Sequence, residues 1–268
     1  MNIEKDSLFL IGKTHQVCED YALHGEVEGI PFIIVSDGCS GSNHTDIGSR
    51  ILTHSAVKAI HVLKDNEINI YQRYERFGDV LLAAAEDAVF TLGLELQCLD
   101  ATLIISFVLG NKLYVFMYGD GSILLEYKGG YREYTDISFV NNAPYYLSYQ
   151  LDKERNRMFE GQSGSQGMTE NYNGDKQSDK YNTQLVYSWD LEDINSIIIS
   201  TDGASSFVHS STTNQPLDLN LVMNELLSLK NTKGEFLNRR VRKFTSQWRK
   251  ENIDHYDDLG VAGFVFTE

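Results

Sequence analysis

Three apolar runs of this chain border acidic residues at turns, and this repeated pattern constrains the fold more than any other feature. The three junctions are Ile33-Ile34-Val35-Ser36-Asp37-Gly38, Ile197-Ile198-Ile199-Ser200-Thr201-Asp202-Gly203, and Asp257-Asp258 followed by Leu259-Gly260-Val261-Ala262-Gly263-Phe264-Val265-Phe266. Runs rich in β-branched and aromatic residues predict buried strands, and a glycine after the acid favours a tight turn because it accepts positive φ. Three strands should therefore carry carboxylates at their ends.

Carboxylates gathered at one edge of a sheet repel one another unless a cation lies between them, and such oxygen ligands suit Mg²⁺ or Mn²⁺. Two further acidic turns adjoin strands: Glu19-Asp20 upstream, and Asp120 in a Gly-Asp-Gly turn after the strand that ends at Tyr118. A single Asp-Gly pair is usually an ordinary turn. Five acidic turns, each joined to a strand, predict a metal centre.

The composition excludes several classes of protein. The 268 residues carry a formal net charge of −15, whereas binding to a phosphate backbone needs clustered Lys and Arg, so nucleic acid is not an expected partner. No apolar stretch approaches the ~20 residues of a membrane helix, and the first residues lack the pattern of a signal peptide. The three cysteines form no CxxC pair, which argues against a zinc ribbon and favours a reducing compartment. We therefore expect a cytoplasmic protein that does not bind a membrane.

No change of composition marks a domain boundary, so residues 1–268 are expected to form a single domain. Helices are predicted at 46–64, 78–92, 216–229 and 235–250 from apolar spacings of three and four residues. Strands at 101–109, 113–118 and 122–127, joined by short turns, predict a meander and a largely antiparallel sheet.

The segment 153–182 differs from the rest of the chain. Between Glu160 and Tyr181 it is rich in Gly, Ser, Gln, Asn and Asp, with little apolar content. This composition predicts a polar, mobile insertion. Long loops of this kind are found as substrate-facing lids and as tolerated surface insertions, and the sequence leaves both alternatives open.

Six short motifs follow one another in order between residues 12 and 266. They are His15-Gln16-Val17-Cys18-Glu19-Asp20, Asp37-Gly38-Cys39-Ser40-Gly41, Asp100-Ala101-Thr102, Gly119-Asp120-Gly121-Ser122, Thr201-Asp202-Gly203 and Asp257-Asp258. No single motif is specific, but the ordered set resembles the metal-dependent type 2C protein Ser/Thr phosphatases, as a divergent bacterial-type member.

The resemblance implies an α+β fold, in which two stacked antiparallel β-sheets are flanked by helix pairs as an α-β-β-α sandwich. It also implies a phosphorylated protein as substrate. Two Mn²⁺ or Mg²⁺ ions about 3.5–4 Å apart would activate a bridging water. That water would attack the phosphorus of phosphoserine or phosphothreonine, so no cysteine nucleophile is required.

The resemblance assigns roles to seven residues of this chain. Asp37 would bridge the two ions, the Gly38 carbonyl would ligate one of them, Asp202 and Asp257 would ligate the other, Glu19 and Asp20 would hold metal-bound waters, and Asp120 would fit a third, weaker metal position. Asp37, Asp202, Asp257 and Glu19 are the predicted catalytic residues.

Two positions depart from the family pattern. His15 stands where the family has a phosphate-holding Arg, and Cys39 stands where it has the His of Asp-Gly-His, for which His44 is a candidate substitute. These departures fit a divergent bacterial-type member and equally an alternative, a catalytically impaired pseudophosphatase that acts as a partner-binding module. A structural protein with acidic turns is a third interpretation. The sequence does not distinguish Mn²⁺ from Mg²⁺ and does not indicate an oligomeric state.

Overall fold

A computed structural model describes most of the chain, namely residues 1–65, 67–161, 167–180, 184–210 and 215–267. Within these residues the chain forms fifteen strands and five helices, with short 3₁₀ turns between several of them. None of these helices has both the length and the apolar character that crossing a membrane would need.

The strands follow one another along the chain in this order. They are β1 (Asn2–Leu10), β2 (Tyr21–Val27), β3 (Ile30–Ser36), β4 (Leu103–Leu109), β5 (Lys112–Tyr118), β6 (Gly121–Tyr127), β7 (Arg132–Phe139), β8 (Gly167–Tyr172), β9 (Asp175–Lys180), β10 (Leu185–Asp190), β11 (Ile194–Ser200), β12 (Phe207–His209), β13 (Gln215–Pro216), β14 (Ile253–His255) and β15 (Leu259–Thr267). The helices are α1 (Thr45–Ala59), α2 (Ile70–Leu92), α3 (Lys153–Gly161), α4 (Leu219–Leu227) and α5 (Phe236–Lys250).

Two antiparallel sheets face each other. The larger sheet has the order β1-β15-β11-β6-β7-β8-β9, and the smaller has the order β10-β5-β4-β3-β2. A short third sheet, β13-β12-β14, lies beside them. Every neighbouring pair runs antiparallel.

Apolar residues fill three layers of this sandwich. Side chains alternate across a strand, so Ile33 points into the core between the sheets while Ile34 packs against α1 and α2 on the outer face. On the far side, Ile198 of β11 packs with α4 and α5. Burial of both sheet faces explains why these strands are almost uniformly apolar, and the predicted α-β-β-α arrangement is confirmed.

Capping groups help to determine where α2 and α5 begin. Helix α2 begins at Ile70 rather than near Gly78, because Asn69 and Gln72 form a reciprocal capping box at its first turn. At the start of α5 the cap comes from far along the chain. The buried Asp6 of β1 accepts hydrogen bonds from the backbone N–H groups of Leu237 (2.7 Å) and Asn238 (2.9 Å).

The predicted meander is wrong at its last step. Strands β4 and β5 pair as expected, but β6 pairs with β11 and β7 in the larger sheet. The turn at Asp120 therefore crosses from one sheet to the other. Sequence patterns show where strands end, but hydrogen-bond partners depend on packing between distant segments.

The prediction of a loop between Glu160 and Tyr181 is also wrong for the described part of that segment. Helix α3 and the β8–β9 hairpin occupy it, and the hairpin extends the edge of the larger sheet. The turn is Asn173-Gly174, both at positive φ, which is a strong hairpin signal. The rest of the predicted loop, residues 162–166 and 181–182, lies outside the described residues, and mobility of the segment stays a prediction.

Candidate active site

Four strand ends meet at one end of the sandwich and bring predicted carboxylates together. Strands β3, β5 and β11 end there, and β15 begins there. The cavity between them has a volume of about 90 Å³. Its lining residues are His15, Asp37, Gly38, Cys39, Ser40, Asp120, Asn142, Pro144, Tyr146, Asp202 and Asp257.

Asp37 and Gly38 are held in place by the first residues before β4. The Asp37 N–H donates to the Thr102 hydroxyl (3.3 Å), and the Thr102 N–H donates to the Asp37 carbonyl (2.8 Å). A Cβ on Gly38 would lie 2.8 Å from the Thr45 carbonyl oxygen, so a larger residue would collide with α1. No backbone N–H in the described chain donates to the Gly38 carbonyl, which leaves that oxygen available as a ligand.

Asp120 reaches the cavity because its turn changes sheet. Gly119 (φ 106°) and Gly121 (φ 128°) both adopt left-handed conformations that favour glycine. These conformations take the chain from β5 to β6 while leaving the Asp120 side chain at the cavity wall, with 4% of the residue exposed.

Asp202 and Asp257 come together through a close backbone approach. A Cβ on Gly203 would lie only 1.7 Å from the Asp258 carbonyl oxygen, so only glycine lets the turn after β11 pack against the turn before β15. This contact brings the carboxylates of Asp202 and Asp257 to the same cavity.

Asp258, by contrast, is absent from the described cavity lining and holds the segment between β1 and β2. It is 2% exposed. Its carboxylate accepts hydrogen bonds from the backbone N–H groups of Gly12 (2.7 Å) and Glu19 (2.6 Å). The two residues of the closing acidic pair therefore have different tasks, one at the cavity and one in the framework.

Glu19 and Asp20 lie beside the cavity and are absent from its described lining. The Glu19 carboxylate accepts a hydrogen bond from the Thr45 hydroxyl (2.9 Å). Asp20 is buried, accepts a hydrogen bond from the Thr201 hydroxyl (2.7 Å), and adjoins the Asp37 carboxyl. The structure thus brings five predicted site residues to the cavity wall and places the other two next to it.

The electrostatics of this cluster are unfavourable without cations. Burial, followed by the neighbouring carboxylates, raises the pKa of Asp37 well above its usual value. Burial also raises the pKa values of Asp20 and Asp120 well above that value, and burial together with Asp257 and Asp136 raises the pKa of Asp202 to about 7. Among the described residues, none of the ion pairs involves Asp20, Asp37, Asp120 or Asp202.

This donor set fits hard divalent cations. Carboxylate oxygens and one free carbonyl converge, and no described lysine or arginine lines the cavity. Mg²⁺ and Mn²⁺ favour such all-oxygen surroundings. The carboxylates that would hold them are Asp37, Asp120, Asp202 and Asp257, together with the Gly38 carbonyl.

His15 lies at the cavity but is engaged by acidic neighbours. Its Nε2 is 3.2 Å from Asp257 Oδ1, and its Nδ1 is 3.1 Å from Asp258 Oδ2 without the alignment of a hydrogen bond. Burial lowers the pKa of His15, but the proximity of Asp258, Asp257 and Glu19 outweighs burial and raises it. The acidic neighbours therefore favour the protonated form of His15 and at the same time engage its ring nitrogens.

The suggestion that His44 replaces the histidine of the family motif is not supported by its position. His44 is exposed, precedes α1 with φ 61°, and is absent from the described cavity lining.

Tyr146 lies at the cavity instead, next to Cys39. Burial, with Cys39 as its neighbour, raises the pKa of the Tyr146 phenol, which stays protonated and able to donate a hydrogen bond. Sequence reasoning missed Tyr146 because no motif marks it.

Asp100 stands in one of the six motifs, but its role as a buried acid behind the cavity was missed. Asp100 accepts hydrogen bonds from the hydroxyls of Ser42 and Ser148 (both 2.7 Å) and pairs with Arg155 of α3 at 2.6 Å. Its carbonyl accepts the Cys39 N–H at 2.8 Å. Asp100 therefore connects the loop after Asp37 to helix α3.

Comparison with known proteins places the chain in a family. A family model described as Protein phosphatase 2C matches residues 12–244. Because this match covers most of the chain, the chain belongs to the protein phosphatase 2C family. No curated protein matches the sequence.

Several solved bacterial structures are similar to the whole chain. A serine/threonine phosphatase of S. agalactiae is 16% identical, with 99% of this chain and 100% of that chain covered and a TM-score of 0.58. Serine/threonine phosphatase Stp1 from Staphylococcus aureus is 11% identical over 100% and 96% of the two chains, with a TM-score of 0.62. PppA, described as a key regulatory component of T6SS in Pseudomonas aeruginosa, is 14% identical over 99% of each chain, with a TM-score of 0.54. At these identities, the likeness concerns the fold.

Proposed function

We propose that this protein is a metal-dependent phosphatase that removes phosphate from phosphoserine and phosphothreonine in proteins. The observation that carries the proposal is the convergence of Asp37, Asp120, Asp202 and Asp257 on one cavity, where none of the ion pairs among the described residues involves the first three. Such a cluster is costly when empty. Membership of the protein phosphatase 2C family supports the same reaction class.

The carboxylates and the Gly38 carbonyl would hold two Mn²⁺ or Mg²⁺ ions, with Asp120 at the place of a third. Once bound, the ions would supply the acidity that makes water nucleophilic near neutral pH and would offset charge developing on the phosphoryl group. Asp37 would help to hold both ions, and Asp202 and Asp257 would help to hold one of them. Glu19 and Asp20 would orient water from beside the cavity.

Two neutral donors of the chain would orient the substrate. The Tyr146 phenol and the Asn142 side chain lie at the cavity wall, where each can donate a hydrogen bond to a phosphoryl or serine oxygen. His15 would contribute positive charge at the rim, weakened by Asp257 and Asp258. Phosphate binding would therefore depend on the cations more than on any one basic side chain.

A second candidate function is a pseudophosphatase that recognises a partner through the same surface. The observation that favours it is the pairing of His15 with two carboxylates, together with the absence of lysine and arginine from the described lining. In this case, the cavity would bind cations but turn over phosphate esters slowly or not at all.

Hydrolysis of a small aryl phosphate with and without Mn²⁺ tests the proposal. We expect Mn²⁺-dependent turnover in the parent, near-complete loss in Asp37→Asn, and parental turnover in Asp87→Asn, which removes the same charge from an exposed position on α2. A thermal melt accompanies each assay, because ligands that bind the folded state raise its stability. Metal stabilisation without turnover would support the pseudophosphatase, and equal stabilisation of parent and Asp37→Asn would rule out the bridging role.

The substrate and the location of the protein belong to the same proposal. The family supports a phosphorylated protein as the substrate. All three cysteines, Cys18, Cys39 and Cys98, are free thiols. Free thiols support a location in a reducing compartment such as the cytoplasm.

A further inference from the structure

A second cavity lies beside the active site, between α2, the end of β5 and the segment 145–150. We call it the tyrosine cavity. Its volume is about 230 Å³, and its lining residues are Tyr74, Glu75, Gly78, Asp79, Tyr118, Tyr145, Leu147, Gln150 and Gln184. This volume is below the roughly 300–1,000 Å³ typical of sites for drug-sized ligands. It suits a single long side chain or a compact amine.

The tyrosine cavity carries negative charge at its rim. Glu75 and Asp79 are exposed and stand four residues apart on α2, so they share one face of the helix. Glu75 accepts a hydrogen bond from the Gln184 amide (2.6 Å), and neither acid forms an ion pair within the described chain. No lysine or arginine is among the described lining residues. The rim therefore favours a cation.

Aromatic rings form the inner wall of the cavity. Tyr74 and Tyr118 are buried and stack with their centroids 4.4 Å apart. Their hydroxyls donate to backbone carbonyls, Tyr74 to Met117 (2.8 Å) and Tyr118 to Tyr74 (2.7 Å), which fixes both rings. Only 5% of Tyr74 and 4% of Tyr118 are exposed, and Tyr118 also stacks on Phe77, so the rings form an apolar wall rather than free faces. The methylene stem of a long basic side chain can pack against such a wall while its charge stays at the rim.

The two cavities share adjoining stretches of chain. Tyr118 lines the tyrosine cavity and Asp120, two residues later, lines the active site. Tyr145 and Tyr146 are neighbours, one at each cavity. Consecutive Cα atoms are about 3.8 Å apart, so a peptide with its phosphorylated residue in the active site can place a nearby side chain in the tyrosine cavity.

We infer that the tyrosine cavity is a subsite for an arginine or lysine side chain of the phosphoprotein substrate, within a few residues of the phosphorylated position. This inference rests on the proposed function and adds a preference for basic sequences around the phosphorylated residue. Glu75 and Asp79 supply the charge, and Tyr74 and Tyr118 supply the aromatic wall. A free guanidinium or ammonium compound has the same chemistry, and the experiment distinguishes it from a substrate side chain.

Binding of paired peptides tests the subsite. Dye-labelled peptides would carry a non-hydrolysable phosphonate in place of phosphothreonine and one arginine at positions −4 to +4. The matched peptides would carry citrulline, which is neutral and has nearly the same shape. Fluorescence anisotropy with Mn²⁺ measures affinity for the parent, for Glu75→Gln/Asp79→Asn, and for Glu86→Gln/Asp87→Asn. The last variant is a control with the same charge change at two exposed positions elsewhere on α2.

We expect about tenfold tighter binding of the arginine peptide at one or two positions, which is the upper end of what two exposed ion pairs allow. The preference should fall below about threefold in Glu75→Gln/Asp79→Asn and persist in the control. Equal binding of both peptides by the parent at every position would overturn the inference. So would a preference that survives in Glu75→Gln/Asp79→Asn.

Two further measurements separate the possible failures. Saturating N-acetylarginine amide should displace only the arginine peptides. If it binds to the parent while the peptides show no preference, the cavity takes a free cation and the substrate subsite is refuted. Aryl phosphate turnover should be equal in all three proteins. If none of them turns over, the proposed function fails while the binding comparison still decides the subsite.

Discussion

Replacement of Arg155 by Met should destabilise the protein by about 2–3 kcal/mol. Removing one partner of a fully buried ion pair costs about 3–5 kcal/mol, because the other charge stays buried without compensation. The Asp100 side chain is 2% exposed but that of Arg155 is 24% exposed, so part of the pair is screened by water. Asp100 also keeps hydrogen bonds from Ser42 and Ser148. Both facts reduce the expected loss to the lower end of that range or just below it.

Urea unfolding of metal-free protein measures this loss directly, and a melting temperature lower by about 5–10 °C should accompany it at this chain length. Arg157→Met is the matched control, since Arg157 is exposed on the same helix α3; it should change stability by less than about 0.5 kcal/mol. Aryl phosphate turnover should fall as well, because Asp100 also holds the Cys39 N–H. Equal stability of the Arg155 and Arg157 variants would refute the idea that Asp100 depends on its ionic partner.

Three more predictions address the site and the framework. Asp258→Ala should cost about 2–5 kcal/mol in urea unfolding because two buried N–H groups lose their acceptor, whereas Asp257→Ala should keep the fold and lose most metal stabilisation; the reverse order would exchange their roles. Because the pKa of Asp202 is raised to about 7, the metal-free folded state binds a proton that the unfolded state releases at lower pH. The contribution of this proton to the free energy of unfolding is fully present below about pH 4 and is lost as the pH rises through about 7. Saturating Mn²⁺ should oppose that decline, and equal metal-free stability in urea at pH 5 and pH 8 would contradict it. Asp6→Ala should cost about 1–2 kcal/mol by removing the cap of α5, and an unchanged urea midpoint would show that water replaces the cap.

The sequence specified the parts of the site that depend on local patterns. Ile33–Val35 and Ile197–Ile199 are uniformly apolar because both faces of their strands are covered, and this pattern identified the strands and the acids that follow them. Asp37, Asp202 and Asp257 could therefore be assigned to strand ends before their positions in space were known.

The sequence signal was weaker where polar residues form regular structure. The β8–β9 hairpin has few apolar residues, so composition suggested a loop. Its partner groups explain why it forms a strand pair at the sheet edge: the Tyr172 hydroxyl donates to Glu133 (2.6 Å), and the Asn173 side chain accepts the Tyr134 N–H (2.8 Å). The Asn173-Gly174 turn was the one local signal for it.

Only the tertiary structure decided how the acids divide their tasks. Asp257 and Asp258 are adjacent and identical in type, yet one lies at the cavity and the other binds the N–H groups of Gly12 and Glu19, more than 230 residues away. The same holds for Asp100, whose partner Arg155 comes from another element. A sequence pattern reports the period of its own strand or helix, whereas the fate of a buried charge depends on which distant donors the packing brings within hydrogen-bond range.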